Sequence, residues 1–155
     1  MDLLQAIKEL REETSLPFTE IKSALHEAQG DKEKARAVLT ARGATIAEKK
    51  SSRSTHEGLI DAYVHSTKKV GVLVELVCET DFVARNPIFS ELAHECALHI
   101  AAMDPQNIEE LLAQPYIKDP AMSVGQLITN AIAKLGENIK IARFVRFASF
   151  ASFAK

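Results

Sequence analysis

The chain has 155 residues, 46 % of them hydrophobic and 26 % charged, with a net charge of −2. These values describe one ordinary globular domain, or one plus a small module, with no chain-wide basic footprint for nucleic acid. No apolar run approaches the ~20 residues that span a bilayer. Nor do the first residues show the basic-then-apolar pattern of a secretory leader.

Residues 1–45 read as three short helices. Leu3, Ile7 and Leu10 fall at helical spacing in the first. Thr14-Ser15-Leu16-Pro17 breaks it, and Pro17 suits the first turn of the second. Ile21, Ala24, Leu25 and Ala28 share a face there. Gly30 reads as a left-handed cap, and Asp31 as the N-cap of the third helix. Ala35, Val38 and Leu39 supply that helix's stripe, and Gly43 is read as its stop. Helices this short must bury their stripes against one another. Lys49 to Thr55 is basic and serine-rich, and reads as a linker or as the solvated end of a helix from Thr45.

Gly58 to His65 reads as a strand in which Ile60, Ala62 and Val64 alternate against Leu59, Asp61, Tyr63 and His65. Ser66 to Lys69 turns it into a second strand, Val70 to Val77, giving an antiparallel hairpin. Val70, Val72, Val74, Leu76 and Cys78 share the face read as the core side. Thr80 to Arg85 reads as a short turn, and Asn86-Pro87 opens a helix that runs to Met103. Ile88, Leu92, Cys96, Ile100 and Met103 line one side of it. A short segment, Ile108 to Gln114, follows, and Pro115 and Pro120 bracket a connection. Ser123 and Gln126 form a capping box for a helix bearing Val124, Leu127, Ile128, Ala131, Ile132 and Leu135. Gly136 closes it. Ile139 to Phe147 reads as a third strand, with Ile139, Ile141, Arg143 and Val145 on one face. Phe150 and Phe153 continue a three-residue phenylalanine rhythm into the tail, where they could pack on the sheet, join a dimer seam or stay disordered.

The resulting class is α+β. Residues 1–45 form a three-helix module, 46–57 a linker, and 58–155 a single core of three antiparallel strands packed with helices. No metal or cofactor site and no catalytic residue is expected. A phosphate loop is missing. His94 and His99 are five apart and point about 140° from each other on a helix, so they do not make a metal pair. Asp61, His65 and Cys78 are the one set that could converge across the hairpin as catalytic groups.

Glu75-Leu76-Val77-Cys78-Glu79-Thr80-Asp81-Phe82-Val83-Ala84-Arg85-Asn86 resembles the signature of the elongation factor Ts family, with Val77 where the family usually has Asn. Gly136-Glu137-Asn138-Ile139 is similar to its second signature, which commonly continues into two arginines; Ala142-Arg143 stand here. Leu10-Arg11-Glu12-Glu13-Thr14 and Lys22-Ser23-Ala24-Leu25 resemble the ubiquitin-associated-like module that opens the family, with Ser15-Leu16-Pro17 replacing its usual glycine turn.

The resemblance implies a guanine-nucleotide exchange factor that is not an enzyme and that binds elongation factor Tu in its GDP-bound and nucleotide-free states. It implies a cytoplasmic setting, or an organellar matrix or stroma. Phe82 is the implied wedge near the nucleotide and magnesium site, with Asp81 holding the turn, Thr80 and Val83 flanking it, and Leu10 and Arg11 as further partner contacts. Many members carry two core subdomains, and this chain has material for one. The shortfall leads us to expect a homodimer, with no membrane and no direct nucleic-acid contact. The rival reading is a peptide- or ribosome-binding module that uses the N-terminal helices without exchange activity.

Overall fold

A computed structural model describes residues 3–149. In chain order the elements are α1 (Leu3–Thr14), α2 (Phe18–Glu27), α3 (Lys32–Lys50), β1 (Glu57–Val64), β2 (Val70–Cys78), α4 (Asp81–Ala84) and α5 (Pro87–Met103). Then come α6 (Ile108–Ala113), β3 (Pro115–Tyr116), β4 (Asp119–Ser123), α7 (Val124–Leu135) and β5 (Lys140–Ala148). The class is α+β, as the sequence reading has it.

The first three helices bury Ile7, Leu10, Ile21, Leu25, Ala35 and Leu39 in one apolar cluster. Ser15 closes α1 in the left-handed region at φ 55°, where a β-carbon is costly. Asp31 caps α3 by accepting the Lys34 amide at 3.0 Å. Gly43 does not stop α3, which runs through it to Lys50. The glycine instead faces α7 inside the helix: a β-carbon there would sit 3.6 Å from that of Ala133, an ordinary contact. Tertiary packing overrides the weak helix propensity of glycine. Residues 46–50, read as linker, are therefore helical, and only 51–56 connect α3 to β1.

The sheet has the order β1-β2-β5, antiparallel throughout. Val72, Val74, Leu76 and Cys78 project from β2 into a second apolar cluster. There they meet Phe89, Leu92, Cys96 and Ile100 of α5, and Val124, Ile128 and Ile132 of α7. Ile88 and Met103, read as part of the α5 stripe, are exposed, and Phe89 takes the core position. On β5 the expected single face splits. Leu76 pairs Ile141 and Glu75 pairs Arg143, so Ala142 is an extra residue in a bulge. A bulge reverses the alternation beyond it. Ile141 is buried, whereas Arg143, Val145 and Phe147 lie on the opposite, open face.

Between the two prolines the chain makes a small hairpin, β3–β4, that the sequence reading leaves as a connection. It is tied to α5. Tyr116 donates its hydroxyl to Glu95, and Lys118 Nζ lies 2.5 Å from the same carboxylate. Phe150 and Phe153 lie outside the described residues.

Candidate functional site

The stretch Thr80 to Arg85, expected as a turn, is a one-turn helix. Thr80 is its N-cap, with Oγ1 accepting the Val83 amide at 3.4 Å. The Ala84 amide bonds to the Thr80 carbonyl at 3.1 Å, and the Asn86 amide to that of Val83 at 2.9 Å. Asn86 then caps α5 through the Ile88 amide at 2.9 Å, with Pro87 at its first position. The chain therefore passes from strand to helix through two capped turns, with no slack residue between them.

This geometry sorts the predicted residues. Val83 is buried in the core and anchors α4 from below. Thr80 and Asp81 are exposed. Asp81 pairs with Arg85 one turn on, at 3.0 Å between Oδ2 and Nη2. Both groups are solvated, and such a pair contributes little to stability. Phe82 is 86 % exposed, the most exposed large apolar side chain of the described residues. A phenylalanine in water on an anchored turn gains nothing for its own fold. Leu10 is fully buried in the three-helix cluster, so it cannot be a side-chain contact for a partner, and its assignment becomes a core one. Arg11 beside it is exposed.

The strand end before α4 is fastened from the far side of the sequence. Glu137 Oε2 accepts the backbone amides of Glu79 at 3.1 Å and Thr80 at 3.0 Å, and Oε1 accepts the Thr80 hydroxyl at 2.6 Å. The Asn138 amide donates to Glu79 Oε1 at 2.7 Å. Asn138 Nδ2 reaches the carbonyls of Ser51 at 3.3 Å and Arg53 at 2.7 Å. Sequence reasoning gave these residues no role in the site. The clue was their place in the second signature, straight after the Gly136 cap.

A model of the family described as Elongation factor TS matches residues 79–154, which begins at Glu79. The chain is 41 % identical to Elongation factor Ts of Rubrobacter xylanophilus, over 92 % of this chain and 96 % of that one. The chain belongs to the elongation factor Ts family. Elongation factor Ts of Solibacter usitatus is 40 % identical, over 90 % of this chain and 87 % of its own. That of Coprothermobacter proteolyticus is 41 % identical, with 90 % and 94 % covered. The first alignment extends over 188 residues, more than the 155 of this chain, so that relative carries residues with no counterpart here.

Within this chain the groups that could serve bond-making chemistry are engaged elsewhere. Asp61 meets His94 at 3.0 Å, His65 meets Thr67 at 2.9 Å, and the Cys78 thiol donates to the Thr80 carbonyl at 3.2 Å. They do not converge. Burial, then the charge of Glu137, pushes the Cys78 thiol up to about 11, and burial pushes Cys96 up to about 12. Neither is a ready nucleophile. Among the described residues no group of three metal-ligating side chains occurs, and no helix is long and apolar enough to cross a membrane. The basic segment is also occupied: Lys50 Nζ donates to the Gly136 carbonyl at 2.7 Å, and Arg53 lies 3.6 Å from Glu79.

Proposed function

We propose that this chain promotes GDP release from elongation factor Tu by pressing the Asp81-Phe82 turn against the partner near its nucleotide and magnesium site. It binds the GDP-bound and the nucleotide-free partner, and makes and breaks no bond itself. Exchange of this kind needs only differential affinity: whatever binds the empty partner more tightly weakens nucleotide binding by the same factor. The observation that carries the reading is the solvated Phe82 ring on a doubly capped turn. Burying one phenylalanine contributes roughly 1.5–3 kcal/mol, or about one to two decades in affinity. The three-helix module, with Arg11 on its surface, supplies a second contact.

The test is release of labelled GDP from elongation factor Tu. Phe82→Ala removes an exposed ring, so the fold should persist while release slows by about ten- to a hundredfold. An unchanged rate with an unchanged circular dichroism spectrum rules the wedge out.

We extend the proposal to a homodimer. Ile60, Val64, Leu73, Val145 and Phe147 lie exposed on the open face of the sheet, Phe147 at 70 %. The register places Val145 beside Leu73 and Leu73 beside Ala62, so the apolar groups are contiguous across three strands. Glu75 and Arg143 pair on the same face at 2.6 Å. A patch carrying both charges and an apolar centre complements its own two-fold copy.

A further inference from the structure

Phe82 is exposed, so its own contacts do not fix its position. What fixes it is the backbone from Cys78 to Val83. The lower end of that backbone is held by one side chain that comes from 57 residues further along. Glu137 takes the amides of Glu79 and Thr80 on one oxygen and the Thr80 hydroxyl on the other. The hydroxyl it orients is the one that caps α4 through the Val83 amide. Glu137 itself stands between the left-handed Gly136, φ 76°, and the buried Asn138, which binds Glu79 in return. The residue thus lies between a helix cap and a buried neighbour, and its carboxylate takes two consecutive amides past the end of the strand at Cys78.

We propose that Glu137 is a positioning residue for exchange: it latches the strand end so that α4 presents Phe82 at a fixed angle, without touching the partner. The inference rests on the wedge reading of Phe82. A ring on an unlatched turn would have to be ordered at the moment of use, and small misplacements of an acting group cost large factors in rate. The loss therefore falls on the maximal rate of GDP release and not on the encounter.

The experiment is a double-mutant cycle of Glu137 and Phe82, read as labelled-GDP release against the concentration of this protein. Glu137→Ala should lower the maximal rate about tenfold and leave the half-maximal concentration within about twofold. Amide hydrogen exchange should show loss of protection at Glu79 and Thr80. Glu137→Gln keeps one oxygen for the two amides and should lose less. The double variant should be no slower than Phe82→Ala alone, because the latch acts through the ring. Should Glu137→Ala unfold, Glu137→Gln takes its place in the same cycle. Phe82→Ala slow with Glu137→Ala at the wild-type rate overturns the latch alone. So do losses that multiply in the double variant, which would mean that Glu137 meets the partner directly. Loss that follows only the folded fraction overturns it too. Phe82→Ala at the wild-type rate removes the wedge, and the latch with it.

Discussion

Asn138 donates its side-chain amide to the Arg53 carbonyl at 2.7 Å, joining positions 85 residues apart, and is only 2 % exposed. Its second acceptor, Ser51, closes the turn that follows α3. Replacing Asn138 by Ala takes this part-buried donor away from two carbonyls. The cost should be about 1–3 kcal/mol, read as a lower midpoint in urea unfolding with an unchanged slope.

The open sheet face predicts association. Leu73 pairs Ala62 on one side and Val145 on the other, so Leu73→Glu puts a charge at the centre of the patch. The variant should keep its circular dichroism spectrum and scatter light as a monomer, while the parent scatters as a dimer. A parent that stays monomeric at working concentration ends the dimer proposal.

Gly43 offers a gain. Its β-carbon would meet Ala133 at 3.6 Å, an ordinary contact, with no positive φ to oppose it. Gly43→Ala should stabilise the fold by about 0.5–1 kcal/mol through helix propensity. Gly43→Leu should do the opposite, since the added atoms must push α3 off α7.

His99 makes the core sensitive to acid. It is fully buried, its Nδ1 takes the Ile117 amide at 3.4 Å, and its Nε2 faces Gln114 Oε1 at 2.9 Å. That network suits the neutral ring protonated at Nε2. Burial lowers its pKa, and the weaker effect of the Gln114 bond opposes this. The unfolded chain then binds the proton more readily than the folded one. The contribution is complete above the unfolded histidine value near 6.5 and is lost as pH falls through the lowered folded value. One proton gives a slope of at most about 1.4 kcal/mol per pH unit. Unfolding by urea at pH 7.5, 6.5 and 5.5 should show the decline, and His99→Gln should flatten it.

Much of this architecture is legible from local chemistry. Asp31, Asn86 and Ser123 cap helices because their side chains reach amides two or three residues on, a short-range interaction written in adjacent positions. The alternation of β2 gives its buried face for the same reason. What escapes is set by distant partners. Gly43 reads as a stop because the helix it packs beside, at Ala133, lies 90 residues away. The reversal at Ala142 is invisible because a bulge is a property of two strands and not of one. Ile88 and Phe89 are both apolar neighbours, and only the position of the sheet decides which one is buried. Phe82 is identified by its place in a motif, whereas Glu137 looks like any polar residue after a helix until the strand end it holds is in view.

Because α3 is one unbroken helix of 19 residues, it spans roughly 28 Å at 1.5 Å per residue. Its first half lies in one apolar cluster, through Ala35 and Leu39, and its second half rests on α7. Tilting one end means bending a hydrogen-bonded rod or peeling it from its bed. The three-helix module and the sheet are therefore coupled through one stiff strut, and a displacement of either is transmitted along it to the other.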